Sequence, residues 1–319
     1  MVRVVIAALV AAVVGCDGGD DKDDEGAVDA DGDADTDSDA DADSDADTDA
    51  DSDADTDSDT DSDADTDPLA GEGIVVVYAS IPDDNTIAAV AFERAQTTTS
   101  SGCTSLGVVD GCELRDCPSP YATTTGPPSD AVSAGDVTID IDGRSAFTLG
   151  WDAATLDYEI GFDTRADFSG GELVTVAAVG DVAPGFTVDV DAPAATRWTG
   201  PPMPSPDQVA PVDVDVPFDL VWDPVSPGTL VVDLQRFDDP TQIFHGVSCD
   251  FDPTVGSGSV SVAAMAHLGR GTGSVSATMV SRANVVAIDG LGAVWSTDVL
   301  LASDLSVPGG IAFWDASFD

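Results

Sequence analysis

Residues 138–149 read TIDIDGRSAFTL and form the clearest secondary-structure signal in the chain. Two runs of alternating apolar and polar residues lie on either side of Asp142-Gly143. An Asp-Gly pair supplies the positive φ angles of a type I′ turn, and such alternation is typical of strands with one buried face. The stretch therefore predicts a β-hairpin.

Similar patterns across residues 69–319 predict an all-β fold. A continuous apolar run from Ile74 to Tyr78 predicts a buried strand, and residues 262–268 predict one short helix that Gly269 ends. We expect the strands to form one or two immunoglobulin-like β-sandwiches, because a sheet with one apolar face buries it against another layer. Three further runs alternate with period two: Phe186/Val188/Val190, Val216/Phe218/Leu220/Trp222 and Leu230/Val232/Leu234.

A proline-rich segment predicts how the folded region divides. Residues 200–211 contain five prolines, too many for the interior of a sheet. We expect a β-sandwich-like domain 1 at residues 69–200, a proline-rich linker at 201–211 and a β-sandwich-like domain 2 at 212–319. A single domain is the alternative that the length also allows.

The start of the predicted domain 2 has a recognisable arrangement. Residues 218–224 read FDLVWDP, and a second apolar run follows Pro227-Gly228. This arrangement resembles the opening strands of fibronectin type III and related immunoglobulin-like sandwiches, in which a strand tryptophan followed by proline anchors the core. The resemblance implies a fold for this half of the chain and carries no activity with it.

The charge of the chain is concentrated near its amino terminus. The formal net charge is −51, and residues 17–67 hold 26 acidic residues against one lysine, with Asp at every odd position from 29 to 67. Carboxylates two residues apart lie about 7 Å from each other, inside a Debye length of about 8 Å, so their repulsion is incompletely screened. We expect residues 16–68 to be a disordered, extended stalk that attracts divalent cations only weakly and diffusely. Nucleic-acid binding is excluded because it needs clustered basic residues.

The amino terminus predicts export. Met1-Val2-Arg3 is a short basic region, and the apolar run at 4–14 would span about 16 Å as a helix, roughly half of a hydrocarbon core. Residues 1–15 therefore have the length and pattern of a signal peptide.

The end of that signal peptide indicates how the protein is anchored. Val13-Val14-Gly15-Cys16 resembles the lipobox of bacterial lipoproteins, which implies cleavage before Cys16 and lipidation of its sulfur. Several acyl chains give stable anchoring. The layout of lipobox, Asp-x stalk and β domains also resembles Asp-rich-stalk surface lipoproteins of myxobacteria-like bacteria. We expect a cell-envelope location, at the outer membrane or cell surface rather than the inner membrane.

The remaining cysteines predict two disulfides. Exported proteins meet an oxidising environment, and an even number of cysteines there favours pairing. Three connectivities are possible; each includes a bridge within residues 103–117, and the second bridge would join the two halves. The four candidates are Cys103, Cys112, Cys117 and Cys249.

Catalytic and metal-binding patterns are largely missing from the sequence. His245 and His267 are isolated, which favours a structural role, and the nearest approach to a nucleophile elbow, at 246–250, has Asp in place of the second glycine. Paired C-x₂-C spacing for zinc and a complete EF-hand loop are both lacking. We therefore expect no catalytic residue, cofactor or metal site. Trp222 and Trp151 are expected to fill cores, with glycan stacking by the tryptophans as the alternative.

These features favour a lipid-anchored envelope protein that is not an enzyme. An acidic stalk would display β-sandwich domains for adhesion, binding or a structural role, with the membrane as one partner and a protein or glycan as another. The alternative is an exported hydrolase that acts on glycans through Asp or Glu carboxylates, whose separation the sequence does not reveal.

The lipobox interpretation makes a direct prediction about Cys16. Cys16→Ser should abolish partitioning into the detergent phase and leave the signal sequence uncut, because the sulfur that carries the lipid is gone. Phase separation and mass spectrometry of the amino terminus measure both effects. A variant that is soluble and still cleaved would contradict the interpretation.

Overall fold

The structure is a computed structural model of the 319-residue chain. It describes residues 71–80, 85–94, 103–118, 131–163, 168, 170–202, 208–305 and 313–319. The predicted signal peptide, the predicted lipidation site Cys16 and the predicted acidic stalk lie outside the described residues. No helix within the described ranges has the length and hydropathy needed to span a membrane.

The described residues form strands and one short helix, in agreement with the predicted all-β class. The first ten strands are β1 (Gly71–Ser80), β2 (Asn85–Arg94), β3 (Thr104–Val109), β4 (Cys112–Pro118), β5 (Val137–Ile141), β6 (Arg144–Leu149), β7 (Trp151–Asp152), β8 (Asp157–Tyr158), β9 (Gly161–Asp163) and β10 (Leu173–Ala178). The remaining elements are β11 (Phe186–Asp191), β12 (Trp198–Gly200), β13 (Ala210–Val212), β14 (Phe218–Trp222), β15 (Thr229–Asp238), β16 (Ile243–Phe251), β17 (Ser257–Val260), α1 (Val262–Leu268), β18 (Gly271–Ile288), β19 (Val294–Asp304) and β20 (Phe313–Phe318).

One large sheet, called the shared sheet below, contains strands from most of the described chain. Its main order is β3-β4-β16-β15-β18-β19-β1-β2-β9, and β20 and β13 extend from β18 beside this path. Three smaller sheets have the orders β11-β10-β5-β6, β12-β14-β17 and β7-β8. Neighbouring strands are antiparallel except in the pairs β1–β19 and β13–β20.

The sheets pack as sandwiches around two hydrophobic cores. Core 1 joins side chains of β1, β2 and β19 in the shared sheet to side chains of the four-stranded sheet, including Ile139, Val176 and Phe186. Core 2 joins β15, β16 and the first half of β18 to β14, β17 and α1, with Trp222 and Met265 among its members. Burying a side chain of this size stabilises the fold by about 1.5–3 kcal/mol before entropy is considered.

The shared sheet does not divide at the proline-rich segment where the domain boundary was predicted. β1 lies before that segment and pairs in register with β19 after it, from Gly71↔Trp295 to Ala79↔Ser303. Each core likewise draws residues from both sides, such as Trp295 in core 1 and Cys112 in core 2. Pro211 of that segment even lies in the short strand β13, which pairs with β20, and proline content does not show which distant strands pair.

Strand β1 confirms the buried strand predicted from its continuous apolar sequence. Val75 and Val77 point into core 1, while Ile74 and Val76 join a third apolar cluster with Leu300 on the opposite face. A strand that is buried on both faces has no polar face, and this is the expected environment for a parallel pairing inside a sheet.

The predicted hairpin is confirmed, and one alternating run begins later than predicted. β5 and β6 are joined at Asp142 and Gly143, whose φ angles of 50° and 74° are those that the Asp-Gly pair favours. Val216 instead lies in a turn before β14 and is 48% exposed, so the buried alternation there starts after this residue. The helix α1 covers the predicted residues and ends at Gly269 with φ of 62°.

Many aspartates of the folded part stabilise turns. The Asp289 carboxylate accepts hydrogen bonds from the backbone N–H groups of Ala293 (2.9 Å) and Leu291 (2.8 Å), and these bonds lower its pKa. Asp152 and Asp213 each accept from the N–H two residues further along the chain. Such Asx turns fix the backbone between strands, so part of the acidic excess has a structural use.

Two disulfides form, as the cysteine count predicted, and the structure selects one of the three connectivities. Cys103 pairs with Cys117, 14 residues apart, and Cys112 pairs with Cys249, 137 residues apart. Cys112 and Cys249 are also direct cross-strand partners in the β4–β16 register. The long-range bridge therefore ties strand β4 of the β3–β4 hairpin to its neighbour β16 in the shared sheet.

The two disulfides should differ in their effect on stability. On loop-entropy grounds, replacing Cys112 and Cys249 together by Ala should lower the free energy of unfolding by about 5 kcal/mol, because a long loop is released. The matched double replacement of Cys103 and Cys117 should cost about 3 kcal/mol. Urea denaturation of both variants measures the difference, and an equal or reversed order would contradict it.

Candidate functional site

A cluster of polar side chains forms where β4, β16 and α1 meet. Asp116 on β4 and His245 on β16 are direct cross-strand partners. The Nδ1 of His245 lies 2.7 Å from Oδ1 of Asp116 and donates a hydrogen bond to it when protonated. Directly opposed residues of adjacent antiparallel strands have their side chains on the same face, so the backbone pairing itself brings these groups together.

The helix supplies the third member of the cluster. Ser261 caps α1 by accepting a hydrogen bond from the N–H of Ala264 (3.2 Å), and Ala264, Met265 and Leu268 are buried against core 2. His267 in the last turn is then placed over the shared sheet. Its Nε2 lies 3.2 Å from Oδ1 of Asp116 and 3.1 Å from the backbone carbonyl oxygen of Arg115.

The three side chains are held closely but remain accessible to solvent. One ligand atom from each of the three side chains lies within 4.8 Å of those of the other two. The exposed fractions are 30% for Asp116, 19% for His245 and 14% for His267. The two imidazole rings meet edge to face, with centroids 5.5 Å apart. The cluster is thus a partly buried, preorganised set of two imidazoles and one carboxylate.

An ion pair on the opposite face of the shared sheet holds the same strands in place. The guanidinium of Arg115, 2% exposed, lies 2.8 Å from the carboxylate of Asp233 on β15. To reach it, the Arg115 side chain passes over Gly246 on the intervening strand β16. A side chain on residue 246 would occupy the space that the Arg115 side chain crosses, so packing favours glycine at this position.

Sequence reasoning did not find this cluster. It treated His245 and His267 as isolated and expected no metal site, yet the structure brings both next to Asp116. Asp116 and His245 are 129 residues apart, so only the register of β4 against β16 reveals that they are neighbours. Residues 246–250, which lack the second glycine of a nucleophile elbow, do not form one. Ser248 lies inside the paired strand β16 rather than at a strand-to-helix turn.

A second feature is a small pocket beside core 1. Its volume is about 140 Å³, and its lining includes Glu93, Trp151, Asp157 and Tyr158. The Tyr158 hydroxyl donates to the carbonyl of Gly135 (3.0 Å), and burial raises its pKa. Small-molecule sites commonly enclose about 300–1,000 Å³, so this pocket is small for a ligand of that kind.

The tryptophans with described side chains mostly serve the cores, which confirms the prediction for Trp222. Trp222 is 2% exposed and its Nε1 donates to the Pro253 carbonyl at 2.9 Å, while Trp198 and Trp295 are each 3% exposed. Trp151 is half-buried, packs against core 1 and meets Tyr158 edge to face. The side chain of Trp314 lies outside the described residues.

No protein-family model and no curated protein sequence matches the chain. Solved structures give weak similarities. The fibronectin(III)-like modules of Clostridium thermocellum CbhA are 13% identical, with 75% of this chain and 92% of that chain covered and a TM-score of 0.16. A Ca²⁺-stabilized, ice-binding adhesin of an Antarctic bacterium is 12% identical over 75% of this chain and 50% of its own, with a TM-score of 0.16.

A third structure, from a 1.5-MDa bacterial ice-binding adhesin, is 14% identical over 70% of this chain and 76% of its own, with a TM-score of 0.14. TM-scores this low do not support any inference about function. The β-sandwich class is established by the strands and cores described above.

The path of Arg115 over Gly246 makes a stability prediction. In Gly246→Ala, the new Cβ would lie 3.0 Å from Cγ and 3.1 Å from Nε of Arg115, so the buried arginine side chain must move by a few tenths of an ångström. The free energy of unfolding should fall by about 1–2 kcal/mol because overpacked interiors are strained.

Gly290→Ala is the matched control, since no neighbouring atom lies within 4 Å of its added Cβ. Its effect should stay within about 0.5 kcal/mol, as is usual for exposed sites. Equal urea midpoints for the two variants would contradict the packing role of Gly246.

Proposed function

We propose that this protein is a lipid-anchored component of the bacterial envelope and that it acts without catalysis. In this proposal, the lipid on Cys16 holds the chain to the membrane, the acidic stalk at residues 16–68 extends from it, and the β-sandwich body provides a binding or structural surface. At about 3.1–3.3 Å per residue the stalk could reach on the order of 160 Å.

The closed packing of the described β body is the observation that supports a non-catalytic role. Its sheets bury apolar side chains in two cores, and the inner strands of the shared sheet have a paired strand on each side. The described pocket of about 140 Å³ is small and lies at the edge of core 1. A body built this way offers sheet faces and loops to a partner, as expected for adhesion, binding or support.

The body also suits an exposed, oxidising location. The Cys103–Cys117 bridge closes the β3–β4 hairpin, and the Cys112–Cys249 bridge joins β4 to its neighbour β16. Disulfides of this kind persist outside the cytoplasm, which agrees with the export predicted from residues 1–15. Exposed aspartates on the edge strand β11, such as Asp189 and Asp191, discourage aggregation between sheet edges.

A glycan hydrolase is the second candidate, because the small pocket contains two carboxylates next to an aromatic ring. Glu93 and Asp157 line it together with Trp151. Glycosidases use a carboxylate pair, and an aromatic face can stack on a sugar ring. The hydrolase alternative therefore requires Glu93 and Asp157 to act as the catalytic carboxylate pair.

An assay for turnover separates the two functions. The purified protein, incubated with peptidoglycan, chitin or cellulose, should release no reducing ends above the blank, because the proposed role needs no bond cleavage. Glu93→Gln, Asp157→Asn and the surface control Asp219→Asn should all match the parent chain. Release of reducing ends that Glu93→Gln or Asp157→Asn abolishes, while Asp219→Asn retains it, would replace the binding role with the hydrolase.

A further inference from the structure

We propose that Asp116, His245 and His267 form a binding site for a divalent transition-metal ion, with Zn²⁺ as the ion to test. This site is independent of the anchoring proposed above, since all three residues belong to the described β body. It also differs from the diffuse cation attraction expected of the stalk, because it uses imidazole nitrogens.

The donor set selects the class of metal. Two imidazole nitrogens and one carboxylate oxygen suit Zn²⁺ and neighbouring first-row ions, and two histidines with one carboxylate are a common protein ligand set for such ions. Ca²⁺ and Mg²⁺ prefer oxygen ligands throughout. The stalk offers carboxylates alone. We therefore expect the stalk to attract Ca²⁺ and Mg²⁺, and the cluster of Asp116, His245 and His267 to prefer Zn²⁺.

The observed distances require only small movements to admit an ion. With metal–ligand bonds of about 2.0–2.1 Å in tetrahedral geometry, neighbouring ligand atoms lie about 3.4 Å apart. The present separations from Asp116 Oδ1 are 2.7 Å to His245 Nδ1 and 3.2 Å to His267 Nε2. Opening these two separations to about 3.4 Å requires shifts of about 0.7 Å for His245 and about 0.2 Å for His267. Each imidazole then binds the ion through an unprotonated nitrogen; its proton moves to the other ring nitrogen, or is released to solvent if that nitrogen already carries one.

The surrounding backbone keeps the three ligands in position. Asp116 and His245 are fixed by the β4–β16 register, and the Cys112–Cys249 bridge lies further along the same strand pair. His267 is fixed because Met265 and Leu268 anchor α1 in core 2. Little conformational entropy is then lost when the ion binds.

The partial exposure of the cluster gives the ion access and a remaining coordination position. Asp116 is the most exposed ligand, at 30%, and marks the solvent side. Three protein ligands leave the fourth position of a tetrahedral ion to water. The bound ion would connect α1 to the β4–β16 pair, in the same region that the two disulfides already brace.

The test is a Zn²⁺ titration of the full chain, monitored by calorimetry. The protein carries Cys16→Ser so that no free thiol competes, keeps its disulfides and has no polyhistidine tag. An excess of Ca²⁺ in the buffer occupies the carboxylates of the stalk. We expect one saturable Zn²⁺ site per chain with micromolar or tighter affinity.

Variants of the ligands identify the site. Asp116→Asn, His245→Gln and His267→Gln should each weaken Zn²⁺ binding at least tenfold, whereas the control Asp219→Asn should leave it unchanged. Near-ultraviolet circular dichroism checks that each variant is folded. The absence of a saturable site in the parent chain, or affinity that persists in all three ligand variants, would overturn the proposal and leave the cluster as a hydrogen-bonded brace.

X-ray absorption of the parent chain loaded with less than one equivalent of Zn²⁺ gives an answer that needs no variant. Multiple scattering from two imidazoles is expected. A shell of oxygen ligands alone would place the ion on the stalk and overturn the proposal even if a ligand variant failed to fold.

Discussion

Backbone pairing along strand β18 is the interaction on which the rest of the body depends. Its first half pairs with β15 and β20 beside core 2, and its second half pairs with β19 beside core 1. The two cores therefore share one continuous ladder of hydrogen bonds, rather than meeting across a linker. Each ladder bond contributes about 1 kcal/mol net, but together they determine which faces of the neighbouring strands are buried.

The polar cluster is a consequence of the same constraint. β16 pairs with β15 on one side and β4 on the other, so Arg115 reaches Asp233 across Gly246 while Asp116 meets His245 on the opposite face. A slip of one residue between β4 and β16 would exchange the faces and separate Asp116 from His245. The Cys112–Cys249 bridge prevents such a slip, because it joins direct partners of that register.

The aspartates behind the net charge of −51 have two different roles, one in residues 17–67 and one in the β body. In residues 17–67 the charges lie side by side, and we propose that their repulsion extends a stalk. In the β body, aspartates lie on the solvent-exposed faces of strands or accept backbone hydrogen bonds in turns, as Asp289 does. The second use stabilises local structure and keeps the carboxylates out of the two apolar cores.

The sequence by itself determined the features that depend on neighbouring residues: the all-β class, the hairpin at Asp142-Gly143, the helix ended by Gly269 and the presence of two disulfides. The export signal, lipidation of Cys16 and the stalk remain predictions from that same local information. Only the tertiary structure decided the cysteine connectivity, the sharing of one sheet by both halves, and the meeting of Asp116, His245 and His267. These features depend on the register between strands more than a hundred residues apart, and no local pattern encodes that register.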